Sequence, residues 1–303
     1  MPSPACSRPR TPRSSPPRAP RPAADVPPSP YGELLGLALR AARSGASEIA
    51  ARAGRPTGVR LKSQPTDPAT DADRASESAI RRLIAAERPG DGLIGEEGED
   101  RPPDSGVRWT IDPLDGTVNY LYGIPHHVVS IACEERAAGR WRTVVGVVHD
   151  PARAETFTAV RGGGARLNGA AIAVNDAVGL PLALVATGFS YRPGSRARQA
   201  AVLPRLLPRV RDLRSSGSSA LDLCWTAAGR YDGFYEDELF PWDWRAGALL
   251  VREAGGVVSP LGSGVLAAGP ALYGDLRELL SAARPPRSPR REAHRPPDPE
   301  GIS

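Results

Sequence analysis

Between Trp109 and Tyr120 the chain reads WTIDPLDGTVNY, which sets Asp112 and Asp115 around a proline and a leucine, with Gly116 and Thr117 directly behind. An apolar strand that delivers Asp112 to its end and then bends at Pro113 lets side-chain carboxylates and a backbone carbonyl point to one spot. Hard cations take such ligands: magnesium prefers octahedral oxygen ligation from one or two carboxylates, completed by water and substrate phosphate. Asp, Pro and Gly are also the commonest turn residues, so DPLDG taken alone reads equally as a plain turn. Two further acid clusters stand in matching contexts. GLIGEEGE runs from a short apolar stretch into Glu96 and Glu97, which could instead be a solvated acidic loop. PWDWRAGALLVREAGG sets Asp243 at a helix start, where Asp also serves as an N-cap.

The elements that must carry these acids follow from hydrophobic periodicity. YGELLGLALRAARSGASEIAARAG places Leu34, Leu35, Leu37, Leu39, Ala42 and Ile49 at mostly helical intervals and stops at Gly54. A second helix is expected from about Arg74 to Ala86, followed by strands at 92–95, 107–111, 128–133, 143–148 and 155–160. Beyond these, helices at 195–207, 218–229, 242–254 and 273–283 alternate with strands at 183–187, 232–236 and 256–258. The pattern predicts a layered α/β architecture in one compact unit over residues 31–283, with no internal repeat. The triple glycine at 162–164 reads as a hairpin turn, because no Gly-Lys-Ser or Gly-Lys-Thr follows it.

Composition narrows the function classes. The chain has 303 residues, 40% hydrophobic and 24% charged, as expected of a soluble globular protein. Its net charge of +5 is carried by the ends: residues 1–30 hold five Arg against one Asp, residues 284–303 hold five Arg against three acids, and the body between is near −1. Both ends are rich in Pro, Ser and Arg, and are expected to be disordered tails without a packed core. The N-terminus lacks the apolar stretch of a signal peptide, and no run approaches the ~18 apolar residues of a membrane span, so the expected location is the cytoplasm. Cys6, Cys133 and Cys224 are widely spaced, which fits reduced thiols and gives no zinc spacing.

The combination of GEE, IDPLDGT and PWDWRAGALLVREAGG resembles the inositol monophosphatase family of magnesium-dependent, lithium-sensitive phosphatases, over roughly residues 31–283. The resemblance implies a layered αβαβα sandwich of the inositol monophosphatase and fructose-1,6-bisphosphatase type. It also implies two or three Mg²⁺ ions held by Glu96, Asp112, Asp115, Asp243 and the backbone carbonyl of Leu114. LKSQPTDPATDAD matches the family stretch whose last Asp pairs with the Thr of DGT, which would set Asp73 and Thr117 beside the attacking water. Gly116 and Thr117 would offer N–H groups to the phosphate. SSGSSALDLCWTAAGRYDGFYE is similar to the region that contacts inositol hydroxyls, which points to Gly217, Ser218, Ser219 and Glu236. Glu236 stands seven residues before Asp243, the family's interval. The turn reads Gly-Ser-Ser where Gly-Thr-Ala is common. His126 and His127 replace apolar or aromatic residues and are read as loop residues, since magnesium prefers oxygen.

Lys62 has its own argument. It is the single lysine beside 38 arginines, and a compact ammonium fits where a planar guanidinium would not, so it is assigned a supporting electrostatic role, with chance retention as the alternative. The expected reaction is hydrolysis of a small phosphate monoester, foremost myo-inositol 1-phosphate. Fructose 1,6-bisphosphate, histidinol phosphate and adenosine 3′,5′-bisphosphate are alternatives within the superfamily, and the resemblance also implies a homodimer. A rival from another class is a regulatory or RNA-associated protein acting through its basic tails. Tail charge alone gives weak, salt-sensitive nucleic-acid binding, and the tails carry no interleaved aromatics to stack on bases.

Overall fold

The computed structural model describes residues 30–54, 57–62 and 66–282. The expected tails, apart from Pro30, and Cys6 lie outside these residues.

In chain order the elements are α1 (Gly32–Arg52), β1 (Arg60–Leu61), β2 (Pro68–Ala69), α2 (Asp71–Glu87), β3 (Gly92–Gly95), β4 (Val107–Asp115), α3 (Thr117–Leu121), β5 (Val128–Ala137), β6 (Arg140–Asp150) and β7 (Glu155–Val160). There follow β8 (Gly164–Leu167), β9 (Ala170–Ala171), β10 (Leu184–Thr187), α4 (Pro193–Ala200), α5 (Leu203–Leu206), β11 (Asp212–Arg214), α6 (Ser219–Ala227), β12 (Gly233–Glu236), α7 (Pro241–Glu253), β13 (Val257–Leu261), β14 (Gly264–Ala268) and α8 (Pro270–Ala282). One sheet runs β3-β4-β5-β6-β7-β8-β9, with β3 and β4 parallel and the remaining pairs antiparallel. The second runs β11-β10-β12-β14-β13, and β1 pairs with β2 alone.

Alternation along the strands decides the layering. In β5, Val129, Ile131 and Cys133 pack with α1 and α2, whereas Val128 and Ala132 face the cluster built by α6 and α7. In β14, Val265 and Ala267 join that same central cluster, and Leu266 and Ala268 turn to α8. Both sheets are therefore buried on two faces, and the order is helices, sheet, helices, sheet, helices, the expected αβαβα sandwich. The outer helices approach closely where residues are small. A Cβ at Gly45 of α1 would come within 2.6 Å of Ser76 Oγ and 2.7 Å of Ile80 Cδ1 on α2.

Several boundaries differ from the sequence reading. α2 starts at Asp71, a turn earlier than expected, because Thr70 accepts a hydrogen bond from Ala72 N–H and caps it. The single helix expected over 195–207 is two short helices, since Pro204 supplies no N–H to a continuous ladder. β14 has little sequence signal, because GVLAA is poor in β-branched residues. The glycines at 162–164 turn β7 into β8, with Gly162 and Gly164 at φ 73° and 79°. Cys133 and Cys224 are buried free thiols.

Candidate active site

The first structural departure in WTIDPLDGT is that the strand does not end at Ile111. β4 continues to Asp115, and its pairing with β5 shifts on the way: Asp112 faces Ser130 and Asp115 faces Val128. Three steps along β4 thus run against two along β5, a one-residue bulge at Pro113 and Leu114, where proline has no N–H to give the ladder. In a regular strand residues three apart point to opposite faces; the bulge returns Asp112 and Asp115 to the same face. Asp112 Oδ1 accepts the Leu114 N–H at 3.0 Å. Gly116 then turns the chain at φ 98°, and a Cβ there would meet His126 O at 2.7 Å, so only glycine fits between β4 and α3.

One face of α2 meets this bulge. Thr117 Oγ1 lies 2.9 Å from Asp73 Oδ1 and 3.0 Å from Leu114 O, and its single hydrogen serves one of them at a time. Asp73 is itself held by Thr70, whose N–H and hydroxyl donate to Oδ2 at 2.7 and 2.6 Å. One turn on, Ser76 donates to Pro113 O at 2.9 Å. Lys62 sits just beyond β1, and its Nζ reaches both Glu96 Oε1 and Glu97 Oε1 at 2.7 Å.

The opposite wall comes from α6, β12 and α7. Ser218 Oγ and Ala220 N–H both donate to Asp115 Oδ2 at 2.7 Å, so Asp115 sits against the N-terminal turn of α6, where a negative charge is favoured. Ser218, expected on the substrate, here positions Asp115. Ser219 Oγ donates to Glu236 Oε2 at 2.8 Å, and Gly217 turns at φ 85° beside Asn119. Asp243 is not an N-cap: Phe240 holds that place, and Asp243, at the third helical position, accepts the Phe240 N–H at 2.7 Å through Oδ2. His126 is buried, with Nε2 3.4 Å from Asp222 Oδ1 and its ring edge-on to Trp225. His127 lies edge-on to Tyr120.

The electrostatics are those of acids crowded out of water. Burial, then Glu96, Asp115 and Asp243, push Asp112 well above the carboxylate range, and burial with Glu96 and Asp115 does the same to Asp243. Burial raises Asp115 to about 6, against the opposing hydrogen bonds from Ser218 and Ala220. It raises Glu96 to about 7 against the pull of Lys62. Burial also raises Asp73, with Thr70 opposing. Burial works against the Lys62 ammonium, but Glu96 and Glu97 outweigh it and hold its pKa above the ordinary lysine value. Among the described residues, no three Asp, Glu, His or Cys side chains are arranged to hold a metal ion as they stand. Lys62 engages Glu96 instead. The donor chemistry nevertheless fits a hard divalent cation, because every acid is an oxygen donor and their mutual repulsion is what such an ion relieves. Glu96, Asp112, Asp115 and Asp243 each spend one oxygen on the bonds above, and among the described residues no hydrogen bond reaches the other.

Sequence reasoning missed the residues that hold this frame. Asn119 Nδ2 donates to His126 O and Ser216 O, both at 2.8 Å, tying α3 to the turn before α6. Gly188 stands so close to Glu236 that a Cβ would overlap its carboxylate. Glu77 holds the loop after β3. A signal for it existed: Asp73, Ser76 and Glu77 fall on the buried stripe of α2 with Ala72, Ile80 and Ile84, where polar side chains need partners.

Known proteins share this fold. The family model described as the inositol monophosphatase family matches residues 31–292. The chain is 41% identical over 262 residues to the protein named Nus factor SuhB of Haemophilus influenzae, covering 83% of this chain and 96% of that one. It is also 41% identical over 238 residues to the inositol-1-monophosphatase of Mycobacterium bovis, covering 73% and 81%. Among solved structures, the extragenic suppressor protein suhB of Bartonella henselae superposes with a TM-score of 0.76 at 35% identity, covering 82% of this chain and 98% of that one. The Thermotoga maritima IMPase gives 0.75 at 28%, covering 83% and 98%.

Proposed function

The chain belongs to the inositol monophosphatase family, and on that premise we propose that it hydrolyses small phosphate monoesters with Mg²⁺, foremost myo-inositol 1-phosphate. The observation that carries the reading is the bulge that turns Asp112 and Asp115 to one face, beside a buried Asp73–Thr117 pair. Mg²⁺ would be held by Glu96, Asp112, Asp115, Asp243 and the Leu114 carbonyl. Bound there, it would acidify water and neutralise charge on the phosphate.

The chain's own residues supply the rest. When the Thr117 hydrogen points to Asp73, the Thr117 oxygen accepts a hydrogen bond from the attacking water, and Asp73 carries the proton onward. Gly116 and Thr117 offer N–H groups that α3 leaves without helical acceptors, and these hold phosphate oxygens. Ser219 fixes Glu236, whose carboxylate accepts from ring hydroxyls and so sets the pose of the sugar alcohol. Lys62 balances the Glu96 and Glu97 charge. Phosphate release from a panel of esters, with Mg²⁺ and with a chelator, tests the reading. Turnover of myo-inositol 1-phosphate that stops on chelation supports it; preference for fructose 1,6-bisphosphate, histidinol phosphate or a nucleotide reassigns the substrate.

A second reading is favoured by the name Nus factor SuhB carried by several relatives. On it, the same fold serves as a Nus factor, with or without hydrolysis. The Asp112→Asn protein separates the two, since a Nus-type role independent of hydrolysis would survive loss of turnover.

A further inference from the structure

Glu77 is 2% exposed on α2, one helical turn beyond Asp73, and both of its carboxylate oxygens are committed to the loop after β3. Oε2 accepts the Glu97 N–H at 2.7 Å, and Oε1 accepts the Gly98 N–H at 2.9 Å and Arg81 Nε at 2.5 Å. Arg81 continues the grip by donating Nη1 to Glu99 O at 2.9 Å. Two glycines make the docking possible. A Cβ on Gly95 or Gly98 would run into Glu77 Oε1. Glu96 lies between these anchors, directly after Gly95, which pairs with Ile111 next to Asp112, and directly before Glu97, whose N–H the carboxylate holds.

A buried carboxylate on a helix face that also carries Ala72, Ala79, Ile80 and Ile84 is unfavourable unless its partners repay the lost hydration. Here those partners are one guanidinium and the backbone of an acidic loop. We propose that Glu77 is a positioning residue that fixes the backbone at Glu97 and Gly98, and thereby aims Glu96 at the divalent-cation site. The proposal rests on the reading of that site given above. With Ser76 on Pro113 O and Asp73 on Thr117, it makes one face of α2 the common anchor of the β3 loop, the β4 bulge and the start of α3.

The test is Mg²⁺ binding by calorimetry on the full-length protein, beside the Mg²⁺ concentration for half-maximal phosphate release and the melting temperature. Glu77→Gln sets an amide NH₂ against a backbone N–H or Arg81. Gly95→Ala displaces the far end of the Glu77 side chain, which can move without forcing the backbone. Each is expected to weaken Mg²⁺ binding about tenfold or more, the range seen when groups that orient metal ligands are removed. The double variant should be no weaker than the worse single, because both break one clasp. A purely structural Glu77 would lower the melting temperature and leave the Mg²⁺ constant of the folded protein unchanged, and that result overturns the proposal. So would additive losses in the double variant. Should Glu77→Gln fail to fold, wild-type Mg²⁺ affinity in Gly95→Ala is sufficient to reject it. A wild type that binds no Mg²⁺ overturns the functional reading and this assignment together, whereas normal binding in wild type and variants alike overturns this assignment alone.

Discussion

Replacing Glu236 by Gln should make the protein more stable at pH 8 and worse at recognising a sugar alcohol. Glu236 ends β12, is 7% exposed, and is raised by burial, against the Ser219 hydrogen bond, from 4.5 to about 8. An acid with a folded pKa above its unfolded value binds its proton more tightly in the folded state. Below pH 4.5 both states are protonated and nothing is lost; as pH rises from 4.5 to about 8, the unfolded chain ionises first and stability falls. At about 1.36 kcal/mol per unit, the full window of about 3.5 units bounds the loss near 5 kcal/mol. Relaxation and water entry at the mouth of a site reduce that to about 1–3 kcal/mol, or roughly 2–10 °C in melting temperature for a domain of this size. Gln keeps an acceptor for Ser219 and cannot ionise. Melting curves from pH 5 to 8 in a chelating buffer should therefore diverge upward for Glu236→Gln at pH 8 and converge at pH 5. On the proposed function, Mg²⁺ bound nearby would return the wild-type carboxylate to its charged form, and losing that charge should weaken hydrogen bonds from the polyol by about 1 kcal/mol or more. kcat/KM for myo-inositol 1-phosphate should fall several-fold and p-nitrophenyl phosphate hydrolysis should change less. A variant less stable than wild type at pH 8 would refute the electrostatic argument, and equal losses on both substrates would remove Glu236 from recognition.

Asp112→Asn should abolish Mg²⁺-dependent hydrolysis while raising the melting temperature in chelator, because Asp112 is crowded by Glu96, Asp115 and Asp243; near-normal turnover would sink its role. Gly188→Ala should push the Glu236 carboxylate aside and reduce selectivity for inositol phosphate over p-nitrophenyl phosphate, whereas unchanged selectivity would mean that this contact does not set the pose. Deleting residues 1–28 and 286–303 should leave turnover and melting temperature nearly unchanged and remove any salt-sensitive RNA binding; a large drop in melting temperature would show that an end docks on the body.

The layered fold was legible because its strands alternate or run apolar and its first helix keeps an apolar stripe. Where reading failed, a local cue was outweighed. Pro113 looked like a strand end, yet the β5 partner continues and the ladder resumes at Asp115 after one bulged residue. Pro204 interrupts a stretch that otherwise reads as one helix, and Ala-rich β14 gains its strand from pairing with β12 and β13 rather than from propensity. Of the candidate site, the acids stood out because carboxylates at element ends are conspicuous in a sequence. Asp73 with Thr117, Ser218 with Asp115, Ser219 with Glu236 and Lys62 with Glu96 are brought together across the fold. Of their supports, Glu77 leaves a trace as a polar residue on the buried stripe of α2, whereas Asn119 and Gly188 act on segments distant in sequence and only contact reveals them.

The most direct test of the central claim, that the β4 bulge and its opposing acids form one divalent-cation site, is anomalous diffraction from crystals soaked in Mn²⁺ as a stand-in for Mg²⁺. The account predicts Mn²⁺ within ligand distance, about 2–2.5 Å, of Asp112 together with Asp115, Asp243 or Glu96, with Lys62 drawn away from Glu96. An ion bound elsewhere, or crystals saturated with Mn²⁺ in which Lys62 keeps Glu96 and no ion touches Asp112, would contradict it.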